Sequence, residues 1–305
     1  MNGILPLWKE RGMTSHDCVM KLRRILKTKK VGHTGTLDPS VEGVLPICIG
    51  QATRIAEYLT DAGKEYEAVV SISFTTTTED AEGEIVEQDS SFKTISRSKL
   101  QKALEQLTGE IEQTPPMYSA VKVNGKKLYE YARKGEVVER PIRRVTIYSI
   151  ELLEESSVTQ FEGEEITFKI RIACSKGTYI RTLAVQIGEI LGYPAHMASL
   201  VRTKSGTFTK EHCVTLEHVE NAMNESKIEE IIYPVEHALT QYPSIEINQS
   251  NEKQILNGQV LPMDDLLKEH DKIVFVKNEK ALAVYIQHPE KPDLMKPEKM
   301  FPLEQ

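Results

Sequence analysis

Apolar positions along this chain recur at two spacings, and each spacing predicts one kind of element. Between Thr14 and Lys27, Val19, Leu22, Ile25 and Leu26 recur at helical spacing, with Lys21, Arg23, Arg24 and Lys27 mostly off that stripe. That period predicts an amphipathic helix with one buried stripe and a basic remainder. Thr14, with Asp17 three residues later, predicts a capping box at its start. Leu100, Ala103, Leu104 and Leu107 predict a second helix over 96–107, stopped ahead of Gly109. Leu183, Ile187 and Ile190 predict a third, with Thr178 as N-cap and Gly192 closing it. A further helix is expected over 50–59.

The second spacing is two. Residues 165–174, EITFKIRIAC, alternate cleanly, as a strand with one buried face does. Residues 64–74 alternate in their second half, and 141–153 also read as a strand. Residues 3–9 form a short strand, and Pro6, lacking an N–H, confines it to an edge or an end. TTTTEDAEG, over 75–83, reads as a loop. Over 113–135, Pro115 and Pro116 set an extended entry, Asn124-Gly125 marks a tight turn, and a short helix over 127–134 stops at Gly135. Short acidic helices are expected over 215–221 and 227–232.

Near residue 241 the character changes. From Pro243 onward there are eight Lys, no Arg and no long helical pattern, only short strands and a brief helix around 251–256. This predicts two domains, 1–240 and a small β-rich domain over 241–305, whose proline-rich end over 289–305 reads as partly mobile.

Composition narrows the class. The chain has 305 residues, 40% of them hydrophobic, enough for an ample core. No apolar run approaches the ~18 residues that suggest a membrane-spanning helix. The N-terminal MNGILPLWKERG lacks an export pattern, so a cytoplasmic protein is expected. Cys18, Cys48, Cys174 and Cys213 stand far apart without a CxxC pair, so they read as free thiols and no metal ligand set follows from their spacing. The net charge of −7 argues against a nucleic-acid partner until its distribution is read. Residues 1–60 hold nine basic against five acidic residues, and 165–210 hold seven against two. Residues 211–240 reverse this, one against seven. Such asymmetry fits an RNA-facing surface backed by an acidic exterior, and equally two solvated helix faces.

The candidate chemistry centres on 32–46, GHTGTLDPSVEGVLP, where three glycines and two prolines predict loop rather than regular structure. Asp38 precedes a proline, which pushes it toward extended geometry, in a stiff mounting that a solvated surface acid does not need. His33 lies inside the loop and six bases lie just upstream, an approach suited to a polyanion. By residue type alone, Asp38 also suits a turn, His33 a polar surface, Tyr66 strand packing, and Arg181 a surface position. Arg181 near a helix start opposes the helix dipole, and an opposing carboxylate would justify it, with Asp38 the candidate.

GHTGTLDP followed by GVLP resembles the signature of the bacterial-type TruB family of tRNA pseudouridine synthases. Residues 113–135 resemble its second signature, 195–206 a third, and 75–83 a Thr-Asp-rich segment through Asp80 and Gly83. ILNGQ, over 255–259, resembles the PUA-like domain that follows the core in that family. The resemblance implies an α+β fold: a mixed, largely antiparallel central sheet with flanking helices, plus a small PUA-like β-barrel. It implies Asp38 as nucleophile, Arg181 as its partner, and Tyr66, of a Lys-x-Tyr setting, against the target base. Leu200 would contact the target nucleotide, and His33 would fill the stacking place the base vacates. Tyr179, beside Arg181, joins the substrate-binding set. Ser40, Val41 and Glu42 depart from the smaller or neutral residues of the family, and Gln186 from its usual Asp. Arg202 and Lys204 are read as candidates for phosphates. The implied activity is isomerisation of uridine 55 in the T arm of tRNA, without cofactor or metal, by a monomer with no obligatory protein partner. Two other classes share the surface: a non-enzymatic RNA folding helper, and a guide-dependent relative within a ribonucleoprotein.

Overall fold

The structure, a computed structural model, describes residues 1–248 and 251–301. Its centre is a nine-stranded sheet. The strands are β1 (Gly3–Lys9), β2 (Val31–His33), β3 (Glu42–Ile49), β4 (Lys64–Ile72), β5 (Gly109–Gln113), β6 (Arg143–Leu152), β7 (Ile166–Cys174), β8 (Ala195–Ser205) and β9 (Phe208–Thr209). Their spatial order is β1-β3-β8-β4-β7-β6-β5, with β2 beside β3 and β9 beside β8. Every pairing is antiparallel except β3 with β8, where Val201 faces Glu42 and Arg202 faces Gly43. The sheet is thus mixed and largely antiparallel, as expected.

Four helices flank it: α1 (Ser15–Ile25), α2 (Arg97–Gln106), α3 (Ile180–Leu191) and α4 (Leu216–Asn224). The Thr14–Asp17 capping box is present at α1, and Val19, Leu22 and Leu26 are buried along its stripe. α3 packs on β8 and β4. Two details of α3 differ from expectation. Its N-cap is Tyr179, because the Thr178 hydroxyl is turned back to the Ser175 carbonyl at 2.9 Å. Ile190 is 37% exposed, and Ala184 and Leu191 complete the buried stripe instead.

Pro6 does lie in the edge strand, opposite Pro46. The outer side of β1 is nevertheless covered: Ile4 and Tyr233 exchange backbone hydrogen bonds at 2.8 Å, and Val214 donates to the Pro6 carbonyl at 3.0 Å. In β4, burial alternates over the first half, not the second, because the far half is covered on both faces. The expected loop over 75–83 partly joins a hairpin of Phe74–Thr76 with Ile85–Gln88. Asn124 and Gly125 turn the hairpin of Lys122–Val123 with Lys126–Lys127, both at positive φ.

The expected loop over 32–46 is irregular only between β2 and β3, since residues 42–46 already belong to β3. Glycine and proline there reflect a crowded strand rather than a turn. A Cβ on Gly43 would lie 2.2 Å from the Arg202 carbonyl oxygen, so the close approach of β8 excludes one.

The C-terminal part forms a curled, PUA-like five-stranded sheet of its own. Its strands are β10 (Ser244–Glu246), β11 (Leu261–Pro262), β12 (Ile273–Lys277), β13 (Lys280–Gln287) and β14 (Leu294–Met300), in the order β10-β12-β13-β14-β11. The stretch expected to be mobile thus contains β14, while 302–305 lie outside the described residues. A buried apolar cluster joins the two sheets: Ile4, Val44, Cys48 and Ile55 meet Val274, Val284 and Phe301.

Candidate active site

The loop between β2 and β3 is held from three directions. The Leu37 N–H donates to Ser15 Oγ at 2.8 Å, and that hydroxyl donates to the Leu37 carbonyl at 3.2 Å, so the start of α1 grips the residue before Asp38. The Gly12 N–H donates to the Pro39 carbonyl at 2.8 Å, and Val41 N–H to the Asp38 carbonyl at 3.1 Å. Beneath them lies Lys9, fully buried, with Nζ 2.6 Å from the Val41 carbonyl and 3.4 Å from that of Pro39. The Asp38 main chain therefore has little freedom, as its Pro39 neighbour already suggested.

Arg181 reaches this loop from the first turn of α3. Its Nε lies 3.2 Å from Asp38 Oδ2. Its Nη1 donates to the Thr78 carbonyl at 3.1 Å and lies 3.7 Å from Asp80 Oδ2; its Nη2 donates to the Tyr118 carbonyl at 2.9 Å. The objection of a cation at a helix N-terminus is answered by two carboxylates. The Arg181 side chain is 7% exposed and that of Asp38 38%, so a buried cation holds an acid with an open side. Burial raises the pKa of Asp38, while Arg181 opposes that rise. Glu79, adjoining Asp80, accepts from Thr182 Oγ1 at 2.6 Å, and burial raises its pKa too.

Tyr66 lies on β4, 7% exposed, opposite Ile172 on one side and Arg202 on the other. Burial raises the pKa of its phenol; the charge of Arg202 lowers it, and that of Asp38 raises it further, so Tyr66 belongs to the same electrostatic cluster. Leu200 faces Ala68 across β8 and β4 and is buried in the same core as Tyr66. His33 ends β2, half-buried, and its Nδ1 accepts from the Gly35 N–H at 3.3 Å. Burial, then Arg202, lower the pKa of His33, so the ring is neutral at pH 7 with its proton on Nε2. The Tyr179 main chain is clamped by Gln113, whose Oε1 accepts from the Tyr179 N–H at 2.9 Å and whose Nε2 donates to its carbonyl at 3.2 Å.

One expectation fails outright. Arg202 meets no phosphate: it is 1% exposed, and its Nε donates to the Val44 carbonyl at 2.7 Å. Lys204 is half-buried and pairs with Glu65 at 3.0 Å. Lys9, Ser15 and the Asp80 contact with Arg181 were missed. Lys9 and Ser15 carry no local signal, and Asp80 stood out only as a match to a Thr-Asp-rich segment, with nothing in the spacing to tie it to Arg181. Lys21, Arg24, Lys27, Lys29 and Lys30 are exposed on and after α1. Among the described residues, no group of three His, Cys, Asp or Glu is arranged to hold a metal ion, and no helix is long and apolar enough to cross a membrane.

Comparison with known proteins gives the family of the chain. The family described as TruB family pseudouridylate synthase (N terminal domain) matches residues 23–180, and the tRNA pseudouridylate synthase B C-terminal domain matches 181–240. The chain is 55% identical over 303 residues to a Geobacillus thermodenitrificans protein named tRNA pseudouridine synthase B, covering 99% of this chain and 100% of that one. It is 55% identical over 307 residues to a Listeria innocua protein of the same name, covering 100% of each. Among solved structures, it resembles a chain in a Cbf5–Nop10–Gar1 complex, with a TM-score of 0.70 and 29% identity over 93% of this chain and 78% of that one. It also resembles a chain of an H/ACA ribonucleoprotein bound to a substrate RNA, with a TM-score of 0.72 and 25% identity over 99% and 85%. With an acid, its arginine and a buried tyrosine on the matched elements, and homology running the length of the chain, this protein belongs to the TruB family of pseudouridylate synthases.

Proposed function

We infer that this protein converts uridine 55 in the T arm of tRNA to pseudouridine, with Asp38 as nucleophile. The Asp38–Arg181 pair carries the reading: a carboxylate on a braced loop, kept ionised by a buried guanidinium, with one side open. The reaction breaks the bond from N1 to C1′ and makes one from C5 to C1′. C5 loses a proton and N1 gains one, so no electrons are exchanged with another molecule. The carboxylate attacks C6 of the base or C1′ of the sugar, and either attack needs it charged. The target base must leave its stack to be reached. Neutral His33 is flat and can donate from Nε2, which suits it to the vacated place. Tyr66 supplies an aromatic face for the uracil and a phenol to take the C5 proton, directly or through water. Leu200 and Tyr179 complete the nucleotide's surroundings. The exposed bases of α1 meet the RNA backbone.

The same reading divides the chain into a catalytic domain, 1–240, and an RNA-binding PUA-like domain, 241–305. The protein acts as a cytoplasmic monomer and needs no protein partner.

The test uses purified protein and an unmodified tRNA transcript tritiated at uridine C5. Release of label to water by protein alone is the expected result. Tight binding without release would make it a folding helper, and release only with an added guide RNA would make it a guide-dependent enzyme. Asp38→Asn should abolish release and leave tRNA affinity within about twofold, as loss of a transition-state interaction does; retained turnover would remove Asp38 as nucleophile.

A further inference from the structure

The main sheet buries a charge for which the chemistry above has no use. Arg202 lies within β8, 1% exposed, and among the described residues no carboxylate pairs with it. A guanidinium taken out of water without a counter-charge is costly, and an apolar side chain of similar volume would fill the space without that cost. What distinguishes Arg202 is what it joins. Its Nε donates to the Val44 carbonyl at 2.7 Å and its Nη2 to the Gly35 carbonyl at 3.2 Å. Gly35 and Val44 flank Asp38 on either side of the loop. Across the antiparallel ladder, Arg202 stands directly opposite Tyr66. The two residues are paired across the strands, and the charge of Arg202 acts on the Tyr66 phenol.

We propose that Arg202 is a positioning residue for the isomerisation: it sets a guanidinium opposite Tyr66 and ties that part of the sheet to both ends of the Asp38 loop. The proposal rests on the reading of Tyr66 as the group that takes the C5 proton. In that step the bond from C5 to hydrogen breaks and its electron pair re-forms the C5–C6 double bond, while C6 gives up its second bond to N1, or its bond to Asp38 if the carboxylate had added there. The proton passes to the Tyr66 oxygen, and N1, freed from the sugar, takes one from water. The groups that face Tyr66 are Arg202, Cys174 and Asp38. Burial pushes the Cys174 thiol up to about 11, so it is neutral, and the Asp38 charge opposes a second negative charge nearby. Arg202 is thus the group that favours the phenolate. Its charge reaches other parts of the site as well, lowering the pKa values of His33, Lys64 and Lys9 in addition to the effect of their burial.

The deciding measurement is single-turnover tritium release from C5-labelled tRNA by the full-length protein, across neutral and alkaline pH. The proteins compared are wild type, Arg202→Met, Arg202→Lys, Tyr66→Phe and the Arg202→Met/Tyr66→Phe double variant. Arg202→Met is expected to lose more than about tenfold in rate at neutral pH, equivalent to one pKa unit in Tyr66, and to recover as pH rises. Its tRNA affinity should stay within about twofold. In the Tyr66→Phe background the Met substitution should cost nothing further. A loss of equal size at every pH, or the same loss without the phenol, overturns the proposal. If Arg202→Met does not fold, Arg202→Lys decides: it keeps the charge but not the attachment to both the Val44 and Gly35 carbonyls. Slower turnover on an unshifted pH profile supports the proposal, and unchanged turnover overturns it. Wild-type protein that releases no label overturns the activity itself and this proposal with it. Full release by Tyr66→Phe beside an active wild type overturns only the role given to the phenol and what depends on it.

Discussion

At Asp38 two influences compete over one charge. Burial raises its pKa, and Arg181 at 3.2 Å opposes that rise. In the proposed reaction the ionised form is the nucleophile, so activity should fall as pH drops through the folded pKa, above the ordinary aspartate value of 3.8. Removing the guanidinium with Arg181→Met leaves burial unopposed. The acid limb of the rate profile should then move to higher pH, with tRNA affinity nearly unchanged; an unmoved limb would mean that Arg181 does not hold the charge. The Asp38–Arg181 contact was legible because an arginine in a first turn demands a carboxylate. Arg202 was misread because nothing local separates an arginine meant for phosphate from one capping carbonyls across two strands. The four cysteines were legible as free thiols, and burial pushes Cys48 and Cys213 up to about 12.

Among the elements, β3 shows where reading by residue type misleads. Its Gly43 and Pro46 look like turn residues, yet they lie in a strand between β1 and β8. Gly43 has φ +132° and meets the Arg202 main chain where a Cβ would be. Gly43→Ala should destabilise the fold by more than about 1 kcal/mol, since both the backbone angle and the space are wrong for alanine. It should also slow catalysis, because the strand it displaces carries the loop of Asp38. Thermal melting and tritium release on the same preparation check this, and a variant that melts like wild type would show that β8 can give way. The helix α1 and strand β7 were read nearly to the residue, because their stripe and alternation arise from contact with one apolar face.

At the scale of the molecule, the C-terminal sheet is packed on the strands that frame the site. Val44 and Cys48, on β3, share a buried cluster with Val274, Val284 and Phe301. Beside that cluster Tyr58 Oη donates to Glu298 at 2.5 Å, Lys272 lies 2.7 Å from the same carboxylate, and Lys299 pairs with Glu57 at 2.8 Å. Burial works against the charge of Glu298, but the bonds from Lys272 and Tyr58 prevail and hold its pKa below the ordinary 4.5. A depressed acid adds stability above its unfolded pKa and loses it as pH falls through the folded value. Glu298→Gln should therefore lower the melting temperature at pH 7 and flatten its fall below about pH 4.5; an unchanged acid dependence would remove this contact from the junction. Pro243 and the lysine-only composition after it marked a change of character, but no residue pattern showed that the two sheets share a core.

Sequence alone determined the elements with one apolar face, the motifs on 32–46 and 195–206, and an Asp-Pro pair set among glycines. Those features are local: a helical stripe, an alternation or an Asp-Pro pair is written within a few residues. Tertiary structure decided which distant groups meet. It placed Arg181 on Asp38 across 143 positions, sank Arg202 between Tyr66 and the loop, and set the C-terminal sheet against β3. Such contacts depend on strand order and close approach, which the spacing of residues along a chain does not encode.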